Sequence, residues 1–131
     1  MLGNVKGKVT LITGAASGIG KHMAEKFAES GSAIVIADLN LDAAQTVADA
    51  IKAQYNVETL AVAMDVTNED QVNAGVKATV AKFNKLDVVI SNAGIQTIAP
   101  IVDFETNAWK RLIDIHLHGT FLVAKASMQQ M

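Results

Sequence analysis

Thr13-Gly14-Ala15-Ala16-Ser17-Gly18-Ile19-Gly20 stands between an apolar run, Val9 to Ile12, and a helix-prone run from Lys21 to Ser30. A strand that turns through glycines into a helix gathers backbone N–H groups and the positive end of the helix dipole at one place, which suits a pyrophosphate. Gly14 is expected to permit the tight turn, Gly18 close approach of backbone to ligand, and Gly20 close packing of helix on strand. Ser17 and Ile19 complete the cradle. The competing phosphate loop fails on its own requirements. Ending at Gly20-Lys21, it would need glycine at 15 and Ser or Thr at 22, where the chain has Ala15 and His22.

Asp38 follows Gly20 by 18 residues and ends the next apolar run. A carboxylate there accepts hydrogen bonds from the 2′- and 3′-hydroxyls of an adenosine ribose and repels a 2′-phosphate, favouring NAD over NADP. Neither the glycine loop nor Leu39 brings an Arg or Lys for such a phosphate. Asp65-Val66 comes after the third run, where the acid could bond an adenine amine and the valine pack on its ring. Ordinary loop chemistry explains Asp65 equally well. In Ser91-Asn92-Ala93-Gly94, after the fourth run, small residues would let backbone lie along a ribose, and Asn92 can pin the sheet edge through its amide.

The elements that must position these residues alternate. Lys8–Thr13, Ser32–Asp38, Glu58–Met64 and Leu86–Ser91 read as strands; Gly18–Ser30, Leu41–Tyr55, Glu69–Phe83 and Glu105–Met131 read as helices. Continuously apolar strands such as Ile34 to Ala37 belong to a parallel sheet covered on both faces. The expected fold is therefore α/β, a doubly wound, three-layer α/β/α domain over residues 1–131. Asn40 is placed as the cap of the second helix, Thr67 as that of the third, and Gly31 as the C-terminal stop of the first. The last helix reaches Met131 without a stop signal, and Leu86–Ser91 would leave an apolar sheet edge. Both mark the sequence as part of a larger fold.

Composition narrows the classes. The chain has 131 residues, 50% hydrophobic and 18% charged, with net charge −2 and no cysteine. One domain with a real core is expected. Without a basic block, nucleic acid and anionic membranes are not expected partners. No apolar run reaches the ~18 residues of a membrane span. No signal peptide is read in residues 1–8, so a cytoplasmic protein is expected. No His/Asp/Glu group has metal-ligand spacing, so no metal is expected.

With these motifs in register, the chain resembles the N-terminal half of a short-chain dehydrogenase/reductase. The resemblance rests on TGxxxGIG (Thr13–Gly20), the acid Asp38, Asp65-Val66 and Asn92-Ala93-Gly94. It implies a Rossmann-type fold, an NAD cofactor, hydride transfer between an alcohol and a ketone, and a homo-oligomer, commonly a tetramer. Gly94 to Ile101 is most similar to D-3-hydroxybutyrate dehydrogenases, which implies that Gln96 holds a substrate carboxylate. The family's Ser and Tyr-x-x-x-Lys are not found here: Tyr55 is followed four residues later by Thr59. The segment alone is thus expected to hold nucleotide without catalysing. His116 takes the place of the family's Asn, which holds a water linked to the catalytic lysine. A core imidazole, sharing one helix side with Trp109, Leu112, Ile113, Thr120 and Val123, is the alternative. His22 and His118 read as surface or interface residues. Alternatives for the whole are a 3-oxoacyl-carrier-protein reductase-like enzyme and a non-catalytic nucleotide-binding protein.

Overall fold

The computed structural model describes residues 3–131. Strands β1 (Val9–Thr13), β2 (Ala33–Asp38), β3 (Thr59–Ala63) and β4 (Val88–Ile90) form one parallel sheet in the order β3-β2-β1-β4. Helices α1 (Gly18–Glu29), α2 (Leu41–Tyr55) and α3 (Glu69–Phe83) follow the first three strands in turn. A 3-10 turn (Ile101–Asp103), α4 (Thr106–Ile113), a π turn (Asp114–His118) and α5 (Gly119–Met128) complete the described chain.

The apolar runs work because successive strand residues point to opposite faces and both faces are covered. Ile12, Ile34 and Ile36 pack with Ala24 and Ala28 of α1 and Ala44, Val47, Ala48 and Ile51 of α2. Leu11, Val35, Ala37 and Val62 face the other way, against Val72 and Val76 of α3 and Leu122, Val123 and Ala126 of α5. Each fully buried Ile or Leu contributes about 1.5–3 kcal/mol. These two layers of contact are what make the sheet a fixed platform.

Asn40 caps α2, accepting from the Ala43 N–H at 3.0 Å. The cap of α3 is Asn68 rather than Thr67, one residue later than expected: Asn68 Oδ1 accepts from the Gln71 N–H at 3.0 Å, while Thr67 donates to Asp65. Gly31 (φ +87°) closes α1 in a Schellman arrangement, with its N–H on Ala28 O and the Ser32 N–H on Phe27 O. Asn56 (φ +55°) and Asn84 (φ +61°) close α2 and α3 in left-handed conformation. The expected single helix over Glu105–Met131 is corrected: the helical path begins at Thr106, passes through the π turn and ends at Met128.

β4 is shorter than the expected Leu86–Ser91; just before it, Asp87 pairs with Val9 through both backbone and side chain, its N–H donating to Val9 O at 3.0 Å. Its Oδ2 accepts from the Val9 N–H at 2.8 Å and lies 3.2 Å from Lys85 Nζ. Burial, the largest single influence, opposes ionisation of Asp87. The Val9 amide, Lys85 and Lys8 together outweigh it and hold the carboxyl below its ordinary value of 3.8. Among the described residues, no helix is long and apolar enough to cross a membrane.

Candidate functional site: a cleft at the carboxyl ends of the strands

The carboxyl ends of all four strands open onto one cleft of about 460 Å³. Gly14, Ser17 and Ile19 line it after β1, Asp38 and Leu39 after β2, Met64 to Thr67 after β3, and Asn92 to Ile95 after β4. Arg111, Asp114 and Ile115 form the wall opposite, from α4 and the π turn. Chain connections diverge to either side of the gap between β1 and β4, and ligands of open α/β sheets bind at such a switch point.

The floor of the cleft is a network between β1 and β4. Thr13 Oγ1 accepts from the N–H groups of Asn92 and Ala93, each at 3.0 Å. Asn92 Nδ2 in turn donates to the carbonyls of Thr13 (3.0 Å) and Gly14 (3.3 Å), so the amide does pin the sheet edge. This crossing leaves no room for side chains on the glycine turn. A Cβ at Gly14, which also has φ +66°, would lie 2.9 Å from Ala93 Cα, and one at Gly20 would lie 2.5 Å from both Asn92 Nδ2 and Gly14 O. Gly18 differs: φ is +58° and nothing stands within 4 Å of where its Cβ would be. That face of the turn is open for a ligand.

The start of α1 differs from those of α2 and α3. Ser17 precedes it in extended conformation with no side-chain cap, and its first turn holds no acid. α2 and α3 begin at the same sheet edge with asparagine caps and with Asp42, Glu69 and Asp70 in their first turns. Only α1 of the three therefore leaves its first N–H groups and dipole without an internal partner.

Asp38 sits beside that turn. Its Oδ2 accepts from the Ala16 N–H at 3.0 Å and its Oδ1 from the Asn40 N–H at 3.1 Å. Asp65 forms a local turn, with Oδ1 taking the Thr67 N–H (2.9 Å) and hydroxyl (2.7 Å), while it also borders the cleft. The ordinary loop chemistry considered for Asp65 is thus present in its bonds to Thr67. Val66, expected to lie on an adenine ring, is buried and packs on α5, where a Cβ at Gly119 would lie 2.7 Å from its Cγ2.

His116 is not a core imidazole. The π turn shifts the helical face: Trp109, Ile113 and Thr120 are exposed alongside it, and only Val123 of the expected stripe is fully buried. Its Nε2 lies 2.7 Å from Ile95 O and 3.1 Å from Ile95 N, so this nitrogen donates or accepts according to its tautomer. The ring covers Gly94, where a Cβ would come 2.5 Å from Cε1. Its carbonyl accepts from the Thr120 hydroxyl at 2.7 Å. Gln96 lies on the exposed segment after Ile95, outside the cleft lining. His22 and His118 are exposed, and Tyr55 packs in the α1–α2 cluster, away from the cleft. Among the described residues, no three His, Asp or Glu side chains are grouped so as to hold a metal ion.

Thr13 carries a site role beyond opening the glycine motif, and its position at the end of an apolar strand beside the glycine turn is the signal for it. Arg111, Asp114 and Ile115 left no signal, because an unseen π turn sets which helix positions face the cleft.

A parallel sheet in this order, with a glycine turn and an open helix start at its switch point, defines the Rossmann-type class of α/β protein. Sequence comparison makes the assignment specific. The chain belongs to the short chain dehydrogenase family, whose profile matches residues 8–131. It is 40% identical over 129 residues to trans-4-hydroxycyclohexanecarboxylate dehydrogenase of Sinomonas cyclohexanicum, covering 95% of this chain and 50% of that protein. It superposes on NAD+-bound xylitol dehydrogenase with TM-score 0.92 and 36% identity, over 97% of this chain and 49% of the other. With 3-ketoacyl-(acyl-carrier-protein) reductase from Brucella melitensis complexed with NADH, the TM-score is 0.88 at 35% identity, over 96% and 51%. The chain thus spans about half the length of each of these proteins.

Proposed function

We propose that this chain supplies the cofactor-binding half of an NAD-dependent oxidoreductase that transfers hydride between a secondary alcohol, such as 3-hydroxybutyrate, and a nicotinamide. The single observation that carries the proposal is the pairing of the uncapped α1 start with Asp38 on one cleft. The N–H groups at Ser17 to Gly20 would hold the pyrophosphate, and Asp38 would take the adenosine ribose hydroxyls and repel a 2′-phosphate. Leu39, Asp65 and Val66 would border the adenine, and Asn92-Ala93-Gly94 the second ribose. The nicotinamide, when bound, supplies the hydride chemistry. Gln96 would meet the substrate carboxylate, and His116 would hold the Ile95 backbone beside it. Among the described cleft residues, the one cation is Arg111, on the helical wall.

A 3-oxoacyl-carrier-protein reductase-like activity is the second reading, favoured by the likeness to the NADH complex of the Brucella melitensis reductase. The reading also includes a homo-oligomer, a tetramer by family resemblance. The exposed row Trp109, Ile113, Leu117 and Phe121 at four-residue spacing supports it.

Titration of the full-length protein with NADH and with NADPH tests the cofactor. NADH is expected to bind at least about tenfold tighter, and Asp38→Ala to weaken NADH and narrow that lead. Equal affinity in the wild type, or an unchanged preference in the variant, defeats the assignment. Steady-state rates with 3-hydroxybutyrate and with a 3-oxoacyl thioester separate the two substrate readings.

A further inference from the structure

Asp38 is engaged in the free protein. The Ala16 N–H that it accepts belongs to the middle of the glycine turn, 22 positions earlier in the chain. The turn is otherwise tied to β2 by the Gly14 N–H on Ala37 O at 2.8 Å, with a longer bond from Ala15 at 3.4 Å. An ionised carboxylate offers about four lone-pair sites. Two are used by the amides of Ala16 and Asn40, one on each oxygen, which leaves one on each oxygen. A vicinal diol carries two hydroxyl donors and completes the set.

We propose that Asp38 is a positioning residue for the pyrophosphate turn as well as the group that selects the ribose. Its carboxylate holds Ala16, and with it the free amides of Ser17 to Gly20, in ligand-ready geometry. The ribose half of this statement rests on the nucleotide reading above; the pin on Ala16 is a property of the free protein.

The consequence concerns cofactor exchange. Removing the carboxylate removes repulsion of a 2′-phosphate, yet it also frees the turn that seats the pyrophosphate of either dinucleotide. A single substitution at 38 therefore narrows the preference by losing NADH, with no gain for NADPH. Asparagine cannot substitute fully, because its one carbonyl oxygen serves one of the two amides while its NH2 faces the other.

Amide hydrogen exchange on the full-length protein without nucleotide tests this, comparing wild type, Asp38→Ala, Asp38→Ser and Asp38→Asn. The readout is exchange at Ala16 relative to Leu11, whose amide belongs to β1 and reports general opening. Relative exchange at Ala16 is expected to rise about tenfold in Asp38→Ala and Asp38→Ser and less in Asp38→Asn. NADPH affinity is expected not to exceed that of the wild type. An unchanged Ala16 ratio, or NADPH binding that improves in Asp38→Ala, overturns the pin. Failure of the nucleotide reading looks different: the ratio rises, but neither dinucleotide binds the wild type.

Discussion

A methyl group added at Gly94 would lie 2.5 Å from Cε1 of His116 and 3.2 Å from Nδ1, so the imidazole would have to leave its place. Its Nε2 would then lose the Ile95 backbone. Gly94→Ala in the full-length protein is expected to cost about 1–3 kcal/mol of stability, the range for forced overpacking. His116→Ala restores the space. The double variant should therefore be more stable than the two single losses predict by more than about 0.5 kcal/mol, as contacting residues require. Urea unfolding of the four proteins measures this, and strict additivity would show that ring and glycine do not meet. At this scale much was legible. Gly14, Asp38 and Asn92 stand where strand ends had to deliver them, because those positions follow from the lengths of apolar runs. His116 was legible as a position and not as a contact, since nothing in a local pattern tells which backbone a side chain will reach.

Two helices show how the identity of a neighbour decides a glycine's role. Gly20, in the first turn of α1, faces Gly14 O and Asn92 Nδ2, of which the first is backbone and the second is held by two carbonyls. Gly75, inside α3, faces the terminal methyl of Met64, the free end of a flexible side chain. Gly20→Ala should destabilise the protein by more than about 2 kcal/mol. Gly75→Ala should stay within about 1 kcal/mol of wild type, because the gain in helix propensity offsets the displacement of Met64. Thermal melts of the two variants check the contrast; equal losses would mean that Met64 cannot move. The elements themselves were legible wherever apolar runs and caps coincided. The failures have physical reasons. Thr67 and Asn68 are adjacent candidates for one cap, and only the chain direction at that corner selects between them. A π turn needs one extra residue per turn, which the row Ile113, Ile115 and Leu117 does not reveal.

Across the molecule, the two ends of the sheet carry separate duties. The cleft lies at the carboxyl edge, while Asp87 ties β1 to the approach of β4 at the amino edge. Because its folded carboxyl titrates below 3.8, Asp87 contributes stability that is fully present above that value and lost as pH falls through the lower, folded one. Asp87→Asn should cost about 1–2 kcal/mol at neutral pH. It should also flatten the acid limb of the stability curve, leaving NADH affinity unchanged. Denaturant melts from pH 2 to pH 7, run beside a nucleotide titration at neutral pH, measure both. A parallel acid limb in wild type and variant would remove Asp87 from the account. The strand order has a last consequence, for assembly. β4 returns past β3 and β2 to lie against β1, and the Asn92 to Thr13 bond joins positions 79 apart. Closing so large a ring of chain is slow and entropically costly compared with pairing β1 to β2. The lips of the cleft meet only once that ring is shut. Any molecule that touches both would therefore act as a clasp, favouring completed chains over those still open at the seam.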